Sequence, residues 1–192
     1  MIKAVLLDLD DTLVGNHMDT FMPRYFALLS RYAEVYLPPD QFVRVLLTSS
    51  QAMIMDSDPA LTNREVFWQT FEAQTGLAPA VMEPFFDTFY REQFSALAAV
   101  TQFRETAVSL VNFVQQQGYK VVIATNPMFP RQAVLERLRW AGLPADEFNF
   151  DLITSYENMH STKPNRFYYQ EILQRIGVAA AGSANGRRQL GK

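Results

Sequence analysis

Ile2 to Leu7 is a short apolar run, broken only by Lys3, that stops at a cluster of acids beginning at Asp8. Near-continuous apolarity over so few residues predicts a strand buried on both faces, as in a parallel sheet. A second such run is Val121 to Ala124, ending at Thr125, Asn126 and Pro127. A third, weaker one is Phe150 to Ile153, ending at Thr154 and Ser155. Helical patterns lie between them, so strand and helix alternate from about residue 104 onward. That alternation predicts βαβ units and an α/β core.

The stretch from about 18 to 102 carries a different period. Phe21, Tyr25, Leu28, Leu29, Tyr32 and Tyr36 recur at helical spacing, and Pro38-Pro39 ends the pattern. Phe42, Val45, Leu46 and Met53 form a second stripe, followed by a loop around Ser57 to Leu61. Thr62-Asn63-Arg64-Glu65 has the form of a capping box and opens a helix with Phe67, Trp68 and Phe71 that stops at Gly76. A further helix is expected from about Pro84, through Phe85, Phe86, Phe89 and Tyr90. The reading is an all-helical insert placed after the first strand of the core. Most of its aromatic and Met residues are expected to be its own hydrophobic core, with a minority left for ligand contact.

Composition narrows the function classes. With 192 residues, 48% of them hydrophobic, and 15 Phe, 8 Tyr and 2 Trp, there is ample surface for a core. Seventeen Lys and Arg against 20 Asp and Glu leave a formal charge of −3, without the basic excess that non-specific nucleic-acid binding requires. The absence of cysteine excludes disulfides, thiolate metal sites and cysteine nucleophiles. His17 and His160 are far apart and lack HExxH spacing, which argues against zinc. No apolar run reaches membrane-spanning length, and the first residues do not resemble a signal peptide. A cytoplasmic protein, free of membrane and nucleic acid and either monomeric or homodimeric, is the expectation.

The acids after the first strand are the first candidate chemistry. Alternation in an extended chain puts Asp8 and Asp10 on one side and Leu9 on the other. Two carboxylates held together need a cation, a shared proton or open water. At the carboxyl end of a parallel strand they also occupy the edge where α/β sheets bind ligands. A solvated loop with one capping Asp accounts for one acid but not for two on one side. Thr125 and Asn126 end the second run in the same way, and taken alone they read as helix caps. Lys163, in Ser161-Thr162-Lys163-Pro164-Asn165, follows the third run; a lone loop Lys is usually just solvated.

Together these residues are more telling than any one of them. Two aspartates, a threonine and a lysine, in that order at the ends of three successive strands, resemble the haloacid dehalogenase (HAD) superfamily of aspartate-nucleophile phosphatases. The first motif is VLLDLDDTL (Val5 to Leu13), the second VVIATN (Val121 to Asn126), and the third the lysine of STKPNRFYY (Ser161 to Tyr169). The resemblance covers about residues 1 to 177, with the helical insert placed as in C1-capped members. It implies a Rossmann-like parallel-sheet core over 1–16 and 104–192, incomplete at its C-terminus, and a helical cap over 17–103.

The resemblance also implies roles. Asp8 is the expected nucleophile and Asp10 the acid/base. Thr125, Asn126 and Lys163 are expected to bind phosphate. Mg²⁺ is the expected cofactor, held by the Asp8 carboxylate, the Asp10 backbone carbonyl and a third acid. The expected partner is a small phosphorylated metabolite. The second aspartate favours a phosphatase over a dehalogenase, while a phosphomutase related to β-phosphoglucomutase stays open. So does a non-catalytic protein that binds a phosphate or a partner.

The fourth motif of the family, a strand followed by Gly-Asp that brings that third acid, is missing. After Ile176-Gly177-Val178 the composition changes abruptly to AAAGSANGRRQLGK. The genetic code permits a shifted reading of Gly182 to Lys192, with each new codon taking two bases of one codon and one of the next. That frame can encode Glu-Ala-Leu-Met-Val-Gly-Asp-Asn-Trp-Glu, an apolar strand ending in Gly-Asp. A frameshifted, impaired product of a complete phosphatase gene is therefore expected.

Overall fold

The three apolar runs lie side by side in one parallel sheet. The computed structural model describes residues 2–56 and 58–179. Within them the strands are β1 (Ala4–Leu7), β2 (Lys120–Ile123) and β3 (Leu152–Ile153), in the order β1-β2-β3. The register pairs Ala4 with Lys120 and Leu7 with Ile123, then Val122 with Leu152 and Ile123 with Ile153. All three strands therefore end at one edge, where the acids, Thr125 and the third loop follow.

The period-two alternation of the strands sorts their side chains between two helical layers. Leu7, Val121, Ile123 and Ile153 pack with α5 (Glu105–Gln116) and α6 (Arg131–Trp140) through Val111, Val134 and Leu138. Val122 and Ala124 face the other way, onto Tyr168 and Ile172 of α7 (Arg166–Arg175). Burial on both faces explains why these strands read as continuous apolar runs. In β2 Val121, Val122 and Ile123 are all buried, with Lys120 exposed at the start of the strand, but Ala4, Val5 and Leu6 of β1 are only half-buried. Among the described residues β1 pairs on one side alone. Residues 180–192, where the shifted frame places a further strand, lie outside the described residues.

Between β1 and α5 the chain is helical: α1 (Met18–Tyr32), α2 (Pro39–Met55), α3 (Asn63–Thr75) and α4 (Pro79–Glu92), with 3₁₀ turns at Ala33–Val35 and Phe94–Val100. Pro38 and Pro39 do more than end α1. Pro39 is the first residue of α2, where the missing N–H would be unpaired in any case. The capping box forms as the sequence predicts: the Glu65 N–H donates to Thr62 Oγ1 at 3.3 Å, and the Thr62 N–H donates back to Glu65 Oε2 at 2.7 Å. Gly76 closes α3 in the left-handed region, at φ 72°. Helix α4 begins at Pro79 rather than near Pro84, because Pro79 supplies the N-terminal proline signal and Pro84 is carried inside the helix.

Aromatic side chains fill the helical layer; Phe21, Phe42, Phe71, Phe89 and Phe94 are fully buried. Two connections tie this layer to the sheet. Where the chain leaves and re-enters the α/β part, the Gly15 N–H donates to the Gln102 carbonyl at 2.8 Å and the Gln102 N–H to Gly15 at 2.7 Å. A Cβ on Gly15 would sit 2.9 Å from Gln102 Cβ, so this crossing needs glycine. At the far side, the backbone N–H groups of Asn63 and Arg64 donate to the carbonyls of Met159 and Tyr156, and Asn63 Nδ2 donates to Pro127.

Candidate active site

After Leu7 the chain turns back on itself through a single acceptor. The Leu9 carbonyl receives the N–H groups of Thr12, Leu13 and Val14 at 3.3, 2.9 and 3.0 Å, while the side chains of Leu9, Leu13 and Val14 are fully buried beneath the turn. Anchoring the apolar residues leaves the acids between them on the opposite side. Asp11 adopts φ 56°, a conformation that Asp tolerates better than most residues. Its backbone carbonyl accepts from Arg104 at 2.6 Å, and its carboxylate meets Arg104 at 3.3 Å and His17 at 3.4 Å.

Asp8 and Asp10 have different surroundings. Asp8 Oδ1 accepts from Lys163 Nζ at 2.8 Å, and the Asp8 side chain keeps 42% of its exposure. The pair crosses 155 residues of sequence, so the first and third motifs meet in space. Asp10 is held on both oxygens: Oδ1 by Asn16 Nδ2 at 2.8 Å and Oδ2 by Arg137 Nη1 at 2.5 Å. Arg137 is fully buried, its guanidinium 4.4 Å from the centre of the Phe129 ring, and its Nε donates to the Ala133 carbonyl.

Thr125 and Asn126 leave β2 beside this pair. Thr125 is buried, and its carbonyl accepts from Thr154 Oγ1 and from the Tyr168 hydroxyl, each at 2.8 Å. Burial pushes the Tyr168 phenol up, so it stays a neutral donor. Asn126 spends its side-chain oxygen on the backbone N–H of Lys163 at 3.1 Å, which fixes the lysine loop against the end of β2. Its Nδ2 lies 3.3 Å from Met128 Sδ. Asp8, Asp10, Thr125, Asn126 and Lys163 all border one cavity of about 560 Å³ between the sheet edge and the helical layer. The histidines lie apart: His17 at Asp11, and His160 on Glu171 at 2.7 Å.

Arg137 is the site residue that the sequence pattern concealed. A charged residue on an amphipathic helix normally marks the solvent face. Arg137, however, falls four residues after Ala133, three after Val134 and next to Leu138, all buried. A charge within an apolar stripe is the signal that marks it.

A family model described as a hydrolase, haloacid dehalogenase-like hydrolase, matches residues 2–183. The chain belongs to the haloacid dehalogenase-like hydrolase family. Among solved structures, CbbY of Rhodobacter sphaeroides in complex with phosphate is 20% identical, with a TM-score of 0.53 over 93% of this chain and 74% of that one. At that identity the likeness shows the HAD fold, helical insert included. A HAD phosphatase of Thermococcus onnurineus is 17% identical at TM-score 0.49, covering 92% of this chain and 73% of that one. A structure described as a predicted phosphoglycolate phosphatase of Haemophilus somnus is 16% identical at TM-score 0.47, covering 92% and 72%. No curated protein matches.

Members of this family typically depend on Mg²⁺, a hard cation that takes oxygen donors, and the Asp8 carboxylate borders the cavity. Both Asp10 side-chain oxygens are already engaged. Among the described residues, no group of three His, Cys, Asp or Glu side chains comes together to hold a metal. No helix among the described residues is long and apolar enough to cross a membrane.

Proposed function

We propose that this HAD-like hydrolase is built as a phosphatase that hydrolyses a small phosphorylated metabolite through an aspartyl phosphate. The observation that carries the reading is the Asp8–Lys163 pair at the mouth of β1, with Asp10 fixed two residues on. In the first step an Asp8 carboxylate oxygen forms a bond to phosphorus while the bond from phosphorus to the ester oxygen breaks. Asp10 delivers a proton to that departing oxygen. In the second step water attacks the phosphorus, Asp10 takes its proton, and the Asp8–phosphorus bond breaks to release inorganic phosphate.

The surrounding groups act on charge and position. The Lys163 ammonium offsets the repulsion between a carboxylate nucleophile and a phosphate dianion. Thr125 Oγ1 and Asn126 Nδ2 supply donors for phosphoryl oxygens. Arg137 and Asn16 hold the Asp10 carboxyl on both oxygens, so one of these contacts must open for Asp10 to carry a proton to or from the reacting oxygen. Residues 1–16 and 104–192 serve as the catalytic core and 17–103 as the cap over it. Mg²⁺, when bound, would neutralise charge between Asp8 and the phosphoryl group, with its third acid coming from outside the described residues. The match of the family model ends at residue 183, inside the tail whose composition departs from the rest. That supports a frame change in this segment and an impaired 192-residue product.

The alternative is a non-catalytic HAD-fold protein that binds a phosphate or a partner; the missing fourth motif favours it. A phosphomutase uses the same two aspartates and would return phosphate to the substrate rather than to water. The test is turnover of p-nitrophenyl phosphate with Mg²⁺, together with mass spectrometry for phosphate on Asp8 after acid quench. Wild type is expected to release phosphate and carry the adduct, and Asp8→Asn to do neither. Equal release by both proteins sinks the assignment.

A further inference from the structure

The cavity that begins at Asp8 does not end there. It extends into the helical layer, where Met22, Phe26, Leu46, Phe67, Trp68 and Phe86 wall it. Its volume of about 560 Å³ is that of a ligand pocket, far more than a phosphoryl group needs. The polar groups on this side are few and neutral. Tyr25 and Tyr90 join hydroxyls at 2.7 Å, Trp68 Nε1 donates to the Tyr156 hydroxyl at 3.4 Å, and Ser50 stands on the wall. Among the described residues lining the cavity Lys163 is the sole cation, and it sits at Asp8. Arg137 lies buried beneath, engaged by Asp10. The acids of the lining are Asp8, Asp10 and Asp11, all at the sheet edge.

We infer that the cavity selects a phosphate monoester whose organic part is uncharged, apolar and of aromatic-ring size. This inference rests on the phosphatase reading of Asp8 and Lys163 and names the substrate class of that site. The phosphoryl group sits at the sheet edge and the organic part extends among the rings of α1, α3 and α4. Offset and edge-to-face ring contacts are available there, since Phe67, Trp68 and Phe86 already meet in those geometries. A second ionised group, whether the carboxylate of phosphoglycolate or the far phosphate of a bisphosphate, would face apolar walls with no counter-charge. That is a costly transfer. The spare proton of the Tyr25–Tyr90 pair is available to a neutral hydroxyl or carbonyl on the substrate.

The test compares non-hydrolysable phosphonates by calorimetric titration against the full chain. Benzylphosphonate is expected to bind roughly ten- to a hundredfold more tightly than phosphonoacetate, and to be displaced by inorganic phosphate. Leu47→Lys places a cation on the cavity wall at a half-exposed position where folding tolerates it. It should narrow or reverse that preference. If inorganic phosphate binds but phosphonoacetate matches or exceeds benzylphosphonate, the substrate class is wrong while the phosphate site stands. If neither phosphonate nor inorganic phosphate binds, the site reading falls and this inference with it.

Discussion

Asp8 and Asp10 are two residues apart, yet a substitution at each should act differently. Asp8 and Lys163 are both partly exposed, and a pair of that kind contributes about 1 kcal/mol or less to stability. Asp10 answers a guanidinium with no exposure, so removing its charge strands Arg137 in the interior at a cost of about 3–5 kcal/mol. Asp8→Asn is therefore expected to abolish the phosphoenzyme with little change in thermal midpoint. Asp10→Asn should slow turnover, most for poor leaving groups, and lower the midpoint by roughly 6–20 °C for a chain of this size. Differential scanning fluorimetry of the two variants checks this, and equal midpoints would refute the buried-pair account. Asp8 and Thr125 stood out in the sequence because each closes an apolar run, and parallel strands bring such positions to one edge. Lys163, ten residues past the third run, stood out only through the family resemblance. Arg137 did not stand out, because its partner is 127 residues away and helical periodicity alone assigns a charge to solvent.

Among the elements, strands and helices were legible wherever one period dominated. The stop at Gly76 and the capping box at Thr62 rest on backbone chemistry that is local, so they could be read without tertiary context. The start of α4 could not, because Pro79 and Pro84 both carry a helix-start signal and only packing of Met82 and Phe86 chooses between them. Packing also couples α1 to α4 through the Tyr25 and Tyr90 hydroxyls. Burial pushes Tyr25 up from its ordinary 10.0 to about 12, and Tyr90 well above its ordinary value. Neutral tyrosine is thus favoured in the folded state. Its contribution is complete below pH 10.0 and is lost as the pH rises through about 12, because the unfolded chain ionises first. Alkaline titration followed by tyrosinate absorbance should show these two ionising together with unfolding. In the double variant Tyr25→Phe, Tyr90→Phe the loss of stability across that range should be shallower; an unchanged slope would assign the alkaline transition to other groups.

For the whole molecule, the decisive feature is the outer edge of β1. Val5 and Leu6 are as apolar as their register partners Val121 and Val122, yet they are half-buried where those partners are fully buried. Among the described residues nothing pairs with that edge, and Ile2 beside it is 66% exposed. A strand composed for burial on both faces, with N–H and C=O groups presented along one side, is a template for pairing with another chain. The shifted reading of Gly182 to Lys192 offers such a partner, in the segment Ala-Leu-Met-Val followed by Gly-Asp. Its apolar residues would cover β1, and its aspartate would arrive at the same sheet edge as Asp8 and Asp10, where the family resemblance implies a third acid for Mg²⁺. A frame-corrected, longer chain is therefore expected to be more soluble and Mg²⁺-dependent, while the 192-residue chain is expected to be poorly soluble and to turn over phosphate esters weakly. Sequencing the gene past the Val178 codon is the first check, since a stop codon straight after the Gly-Asp in the shifted frame would end the idea. Expression of both chains is the second. Equal solubility, equal turnover and the same response to EDTA in the two would show that the edge of β1 and the metal site need nothing from that segment.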